Sequence, residues 1–439
     1  MKQFKHTIKI SALTVLLGFT FFKGVGQGLD LEAYLSLLKG GSPVLKQSLN
    51  QLRSADFDVR SARAALLPSL GAEFNYQRDF TKNFLFFNDE AFGETKLRTN
   101  FDNSINADIV ARQAIYDPVS SIQHKLAKLA KEQTQITHQD ANNALIFQGT
   151  KLFWQAIFVK ESLKILADNQ ALAEEQKNQV LHLFDEGLAS ELEVHQTELY
   201  YKRTIPQLAS ANNYYQTLLN ELKALAGLNS NDQLEVEGDL GATRNDRRNL
   251  LISDSILTQN LKIQSLGLAL KMNEYHVKAK KAAWGPVIKL NLGYNLSAQD
   301  NGFRFRNDNQ LWYGQISLSI PVFTGGYNAA QLEKARIDGE NIRLEKQNTQ
   351  NILLGNLKNA RLNLSLAFEK IEVEKEAILL SLKELEIAEV QAKQGLITPT
   401  EYKEIRINLK QARLNLLNAQ LNVRLTNLEV NEILGNTLN

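Results

Sequence analysis

The side chains best suited to catalysis or metal binding are scattered through this sequence. There is no cysteine, which excludes disulfide bonds, thiolate metal ligands and an acylated cysteine. No phosphate-binding, serine-hydrolase or zinc-protease motif is present, and no pair of carboxylates stands out. The histidines beyond the N-terminal segment show no spacing typical of metal ligands; they are His124, His138, His182, His195 and His276. We therefore expect no enzymatic activity, no cofactor and no resident metal.

The composition and the N-terminal segment indicate an exported protein without a nucleic-acid partner. The formal net charge is only +2, so no broad basic surface is expected. Lysines precede an apolar run from Ile10 to Phe22, and the small residues Gly24 and Gly26 follow it. This run is too short to span a bilayer as a helix but suits a signal peptide. We predict a signal peptide at residues 1–26.

The two halves of the sequence repeat one plan. The segment Ala62 to Tyr76 resembles Lys280 to Tyr294, including a proline at the same place. Forty residues separate Gly187 from Gly227, and forty also separate Gly395 from Gly435. We predict a first repeat at 27–230 and a second at 231–439, each ordered helix, strand, strand, long helix, helix.

Four segments alternate apolar and polar side chains with the period of a β-strand. They lie at about 69–80, 103–116, 287–298 and 309–322. Strands of about ten residues with this pattern suit a transmembrane barrel, with one face to lipid and one to water. A water-soluble sheet with one solvated face gives the same alternation, but aromatic residues near the strand ends favour a membrane interface. The residues predicted to face lipid are Leu290, Leu292, Leu318 and Ile320.

Four strands are too few to close a barrel. An open sheet edge in hydrocarbon would leave backbone groups without hydrogen bonds. If these strands lie in a membrane, several chains must combine them, and three chains would supply twelve.

Two long proline-free segments predict unusually long helices. They cover 119–186 and 327–394, and their apolar residues recur at seven-residue steps, as in coiled coils. The C-terminal helix carries two apolar seams, one through Leu409, Leu416 and Val423 and another through Leu414 and Leu421. Two seams allow each helix to pack against neighbours on both sides. Pro206 lies within the helix after the first long segment and predicts a kink there.

Several motifs, taken in order, resemble the outer-membrane efflux (TolC-like) family over nearly all of the mature sequence. They are AALLPSL before the first strand pair, SIPVFTGGYNAA after the second, and two Gly-Leu turns. The resemblance implies a mainly α fold with a small β part, in which a homotrimer closes a twelve-stranded barrel continued by an α-helical tunnel. It also implies two partners, a periplasmic adaptor and an inner-membrane pump of the RND or ABC type.

The family resemblance assigns candidate functional residues to the two turns. It implies that adaptor hairpins dock at the periplasmic tips, Gly187, Leu188, Gly395 and Leu396. It also implies a periplasmic gate lined by acids just past the turns, which are Glu401, Glu404 and Glu193. Threefold symmetry would make each acid a ring that attracts cations. The alternative is that these are ordinary acids at helix starts, favoured by the helix dipole.

Some features depart from the family pattern. Pro399 lies inside the second tip where the first has Glu191, so the two tips need not dock alike. The first strand pair has a longer connection, with the excess around Phe84 to Arg98, where an external loop can grow.

The leading functional hypothesis is a trimeric exit duct in the outer membrane of a Gram-negative bacterium, with its helical part in the periplasm. It would serve a tripartite efflux or type I secretion system. The main alternative is an exported coiled-coil scaffold or adaptor protein whose strands form a small soluble sheet. An exported enzyme is a more remote alternative.

Overall fold

The computed structural model describes residues 28–89, 93–241, 259–305 and 308–435. The predicted signal peptide at 1–26 lies outside these ranges. Within them the helices are α1 (Leu31–Gly41), α2 (Pro43–Ala64), α3 (Pro118–Asp185), α4 (Glu191–Ala226), α5 (Leu261–Ala282), α6 (Tyr327–Lys393) and α7 (Pro399–Leu434). The strands are β1 (Ser69–Arg78), β2 (Phe84–Asp89), β3 (Gly93–Arg98), β4 (Asn103–Tyr116), β5 (Val287–Asp300) and β6 (Asp308–Ser319).

The element order shows the same plan in both halves. In the first half, α2 leads to β1 and β4 and then to α3 and α4; in the second, α5 leads to β5 and β6 and then to α6 and α7. The predicted fold class, mainly α with a small β part, is confirmed. No helix among the described residues has the length and apolar character needed to cross a membrane.

The main sheet has four antiparallel strands in the order β1–β4–β5–β6. Its register aligns Ala72, Ile109, Tyr294 and Trp312 in one row across all the strands. Directly paired residues point to the same side of a sheet and alternate residues to opposite sides. Most apolar residues of the four strands therefore share one face, among them Leu70, Phe74, Ile105, Leu290, Leu292, Ile316 and Leu318. The other face carries Glu73, Asp108, Arg112, Lys289, Asn291, Asn295 and Gln315.

The excess length in the first strand pair forms an antiparallel hairpin of its own, β2–β3. The sequence predicted only a longer loop here. Hydrogen bonds fix the base of the hairpin: the Asp79 backbone N–H donates to the Asp102 carbonyl at 2.9 Å. The Asn100 side-chain amide donates to the Asp79 carboxylate at 3.1 Å and to the Thr81 carbonyl at 2.8 Å. The hairpin is thus attached to the end of the sheet farthest from the helices.

The two long helices form rods on the order of 100 Å in length, since α3 has 68 residues and α6 has 67. The shorter helices α4 and α7, with 36 residues each, run back along them. Most positions of the predicted seams are buried, which confirms the coiled-coil packing. The buried seam residues include Leu145, Val159, Val180, Leu357, Leu364, Ile371, Leu409, Val423 and Val430.

Pro206 does not end the helix that contains it. α4 continues through this proline from Glu191 to Ala226. A proline leaves the carbonyl one turn earlier without its usual amide donor. The carbonyl affected is that of Lys202, and the Thr204 hydroxyl donates to the neighbouring Tyr201 carbonyl at 2.7 Å.

The largest hydrophobic cluster lies part-way along the rods, around α1, α3 and α4. Tyr34, Phe153 and Leu222 are fully buried there, and the Tyr34 hydroxyl donates to the Leu222 carbonyl at 3.2 Å. Leu29 forms a parallel β-bridge with Val236, which belongs to the segment after α4. The start of the described chain is thereby attached to the segment that directly follows the first repeat.

Candidate functional site

The turn between α3 and α4 is closed by a left-handed glycine. Gly187 has φ = 74°, a conformation that glycine adopts without the steric cost other residues carry. The Gly187 N–H donates to the Phe184 carbonyl at 2.9 Å, and the Leu188 N–H donates to the Leu183 carbonyl at 2.8 Å. This pair of bonds is a Schellman motif, which satisfies the last carbonyls of α3.

The turn between α6 and α7 has the same backbone. Gly395 has φ = 69°. Its N–H donates to the Ala392 carbonyl at 3.1 Å, and the Leu396 N–H donates to the Gln391 carbonyl at 2.9 Å. The two predicted tips are therefore equivalent in backbone structure, and we refer to residues 186–190 and 394–398 as the first and second tips.

Each tip displays one large apolar side chain to solvent. Leu188 is 73% exposed and Leu396 is 68% exposed. The Thr400 hydroxyl donates to the Gln196 side-chain carbonyl at 3.3 Å, which places the starts of α4 and α7 side by side. The fold thus brings the four predicted docking residues to one end of the molecule.

Two of the three predicted gate acids form helix caps. Glu193 and Ser190 make a capping box at the start of α4: the Ser190 N–H donates to the Glu193 carboxylate at 2.7 Å, and the Glu193 N–H donates to the Ser190 hydroxyl at 3.3 Å. Glu401 and Thr398 repeat this arrangement at α7, with distances of 2.8 and 3.2 Å. The alternative interpretation of these acids as helix-start residues therefore has direct structural support.

The caps also set the charge state of both acids. Hydrogen bonds from the Ser190 backbone N–H and hydroxyl hold the pKa of Glu193 below its usual value. Bonds from the Thr398 backbone N–H and hydroxyl lower the pKa of Glu401 in the same way. Hydrogen bonds to the ionised form stabilise that form, so both carboxylates are negatively charged at neutral pH.

Glu404 is placed differently from the two capping acids. It lies three residues after Glu401 on α7 and is exposed. Within the described part of the chain, its carboxylate makes no hydrogen bond or ion pair. Glu404 is thus free to interact with a cation or a partner, whereas Glu193 and Glu401 are held by their capping bonds.

The sequence did not reveal the contacts that join the tips. Besides the Thr400–Gln196 bond, the Lys403 ammonium lies 5.8 Å from the Tyr200 ring centroid. The Tyr200 hydroxyl in turn donates to the Asn169 side-chain carbonyl at 2.9 Å. Thr400 and Gln196 are 204 positions apart in the sequence, Lys403 and Tyr200 are similarly distant, and no local pattern connects either pair. The capping partners Ser190 and Thr398 could have been found, because each begins an S/T-x-x-E pattern.

The residues predicted to face lipid all lie on or beside the apolar face of the sheet. Leu290 is paired with Ile316 and Leu292 with Gly314, while Leu318 is paired with Ile288. Leu292 and Leu318 are 52% and 61% exposed, whereas Leu290 is half-buried. Ile320 is exposed but lies one residue beyond β6. In the described ranges, no group of three or more acidic or histidine side chains is placed to hold a metal ion.

A comparison with known families covers most of the chain. The sequence profile described as "Outer membrane efflux protein" matches residues 34–228 and 252–436. The chain belongs to the outer membrane efflux protein family. This match confirms the predicted resemblance.

Individual relatives within the outer membrane efflux protein family are distant. The probable outer membrane lipoprotein SilC of Salmonella typhimurium is 25% identical over 271 residues, which is 61% of this chain and 50% of SilC. The cation efflux system protein CusC of Escherichia coli is 29% identical over 134 residues, 30% of this chain and 27% of CusC. The chain thus spans half or less of the length of these curated relatives.

Solved structures share the fold over almost the whole chain. A crystal structure of CusC superposes with a TM-score of 0.77 at 15% identity, covering 94% of this chain and 96% of that one. The outer membrane channel CmeC of Campylobacter jejuni gives a TM-score of 0.77 at 16% identity, covering 92% and 85%. At such identities the likeness shows the fold.

Proposed function

We propose that this protein is the trimeric outer-membrane exit duct of a tripartite efflux or type I secretion system, without catalytic activity of its own. Family membership supports the location and the role. The observation that carries the proposal is the four-stranded sheet. It has one mainly apolar face, and each of its two edge strands has a neighbour on one side and free backbone groups on the other among the described residues.

The edges of the sheet argue for a closed assembly of several copies. Among the described residues, β1 pairs with β4 alone and β6 with β5 alone, so each edge strand leaves half of its backbone groups unpaired. In hydrocarbon each unpaired group costs several kcal/mol, and closure removes the edges. We infer that β6 of one copy pairs with β1 of the next, which gives twelve strands for three copies.

The helical rods support the same assembly. α6 carries exposed apolar side chains in addition to its buried seam, among them Leu362, Val373 and Ile387. An apolar stripe of this length on a wet rod favours burial against another helix. Neighbouring copies in a helical tunnel would provide that surface.

The tips are the proposed contact for a periplasmic adaptor and an RND- or ABC-type pump. Leu188 and Leu396 are exposed apolar residues on rigid turns, and such residues are suited to act as anchors in a partner's pocket. Gly187 and Gly395 supply the conformation that projects them.

Planar-bilayer conductance tests the duct. We expect the purified protein to form discrete water-filled channels, because the polar sheet face would line the lumen. As a matched pair, Leu318→Arg should prevent channel insertion and Gln315→Arg, on the opposite face, should permit it. A protein that stays monomeric and soluble without detergent would instead support the scaffold alternative.

The gate acids need a separate test, since two of them are also caps. We propose that Glu404 contributes most to cation attraction at the mouth, with Glu401 and Glu193 adding charge while fixed in their caps. Glu404→Gln should weaken block of single-channel current by a multivalent cation more than Glu401→Gln does. If block is unchanged in the Glu401→Gln, Glu404→Gln double variant, the acid ring is not the gate.

A further inference from the structure

A cleft opens between the two halves of the chain just behind the second tip. It has a volume of about 700 Å³ and is bounded by α3 on one side and by α6 and α7 on the other. Small-molecule sites usually measure about 300–1,000 Å³. We call this space the inter-repeat cleft, and the residues that matter here are Asn169, Leu172, Val180, Leu385, Leu409 and Lys410.

One wall of the inter-repeat cleft is cationic. Arg406, Lys410 and Arg413 line it from α7, and their spacing of four and three residues places them on one helix face. Within the described ranges none of them forms an ion pair. The Arg406 guanidinium lies 5.6 Å from the Tyr402 ring centroid, which is a weak attraction compared with a carboxylate partner.

The acids of the cleft are at its exposed parts. Asp168, Glu175 and Glu389 belong to the lining and are exposed, whereas Arg406 and Lys410 are half-buried. Solvent screens the exposed carboxylates more strongly than the half-buried cations. The electrostatic potential inside the cleft is therefore positive, although its lining contains as many acidic as basic side chains.

The half-buried groups lack compensating partners. Burial lowers the pKa of Lys410, because a charged ammonium loses hydration there and gains no counter-charge. The Asn169 side chain also has a buried amide nitrogen without an acceptor. An anion in the cleft could receive hydrogen bonds from such donors and offset the cost of burying the cations.

Apolar side chains complete the cleft. Leu172, Val180, Leu385 and Leu409 come from all three helices around it. We propose that the inter-repeat cleft binds an amphipathic organic anion, with an acidic group held by Arg406 and Lys410 and an apolar body against these side chains. This site is separate from the tip acids and goes beyond conduction, because its occupant would contact both repeats and fix their spacing.

The test is binding of pyrenetetrasulfonate, a fluorescent aromatic anion, to the full-length protein in lipid nanodiscs, measured by anisotropy against empty nanodiscs. We expect saturable binding that Lys410→Gln and Arg406→Gln each weaken about tenfold, the effect of losing one charge-assisted hydrogen bond. Lys383→Gln is the matched control: it removes the same charge from an exposed position on α6 outside the cleft lining, and its affinity should stay within about twofold.

A further variant tests whether weaker dye binding could result from misfolding of the protein. Leu172→Trp fills the cleft from an exposed position on α3, so it should abolish dye binding while the protein keeps its oligomeric state and conductance. Absence of saturable binding to the wild type, or equal affinity of wild type and Lys410→Gln, would refute the proposal. A channel that conducts but does not bind the dye would leave the proposed duct intact.

Discussion

The two tips have the same backbone but different surfaces. Both combine a left-handed glycine, a Schellman motif and a capping box. The first tip is flanked by two histidine–carboxylate pairs, His182 with Glu186 at 3.3 Å and His195 with Glu191 at 3.6 Å. The second carries Pro399 at the first position of α7, where proline fits a helix without loss.

This comparison separates what the turn requires from what it displays. Reversing a long helix requires a residue with positive φ, satisfied carbonyls and a cap, and both halves provide them. The other side chains at the tips differ between the halves while the backbone stays the same, so they are free to suit different partner surfaces. Pro399 leaves the backbone of the second tip like that of the first, and the tips differ in their side chains. That the two tips need not dock alike stays a prediction.

The largest expected effect comes from substitutions in the strands that the two halves contribute to the main sheet. An arginine on the lipid-facing side of a strand costs about 2–4 kcal/mol per copy at the middle of the membrane and less towards its interfaces. Leu70→Arg in the first half and Leu318→Arg in the second should both abolish heat-resistant trimers in the outer-membrane fraction. If only one variant does so, the two halves do not contribute equivalent lipid-facing strands. Gln315→Arg should assemble at normal levels.

The second largest expected effect is a loss of adaptor affinity when either tip is changed. Leu188→Asp and Leu396→Asp place a charge where an apolar anchor is proposed, and each should weaken adaptor affinity by about tenfold or more. Leu188→Met and Leu396→Met keep an apolar side chain and should bind normally. Biolayer interferometry with immobilised trimer measures all four. Equal affinity of every variant would contradict docking at these leucines.

The capping acids predict a smaller effect that depends on pH. Because the pKa values of Glu193 and Glu401 are lowered in the folded state, their stabilisation is complete above the unfolded pKa of about 4.5 and is lost as the pH falls through the lower folded value. The protection of backbone amides from hydrogen exchange at the starts of α4 and α7, corrected for the intrinsic rate, should thus stay constant from neutral pH to about pH 5. It should fall at lower pH, as the two carboxylates become protonated. Glu193→Gln and Glu401→Gln should remove the dependence at their own helix.

The β2–β3 hairpin, which has no counterpart in the described part of the second half, should have the smallest effect. Replacing residues 80–101 with Asn-Gly joins Asp79 to Asp102, whose backbones are already hydrogen-bonded at 2.9 Å. Since surface loops tolerate changes in length, trimer yield and conductance should be unchanged. A loss of assembly would show that β2–β3 contributes to the contact between copies.

The sequence predicted the long elements well because their signals extend over many residues. The limits of α3 and α6 fall within one residue of those expected, because α3 begins at a proline, glycines precede α6, and the seven-residue apolar pattern continues through both helices. The alternation in β5 and β6 likewise predicted which side chains share a face. A long repeated pattern outweighs local exceptions such as Pro206.

The candidate site was only partly predictable, because its side chains meet across the fold. The Thr400–Gln196 bond and the Lys403–Tyr200 contact join the two halves, and no periodicity reports such pairs. Glu193 and Glu401 lie at the starts of α4 and α7, and their use as caps depends on the rotamer that each adopts. The β2–β3 hairpin was missed because each of its strands has only six residues, too few for a clear alternating pattern.

The β-bridge between Leu29 and Val236 bears on the order in which the protein matures. The Leu29 N–H donates to the Glu235 carbonyl at 2.8 Å, and the Glu237 N–H donates to the Leu29 carbonyl at 2.9 Å. This contact connects the start of the first repeat to the segment that directly follows it, and it requires none of the residues of α5, α6 or α7. A chain that enters the periplasm from its N-terminal side can therefore form this contact before its last two hundred or so residues have arrived.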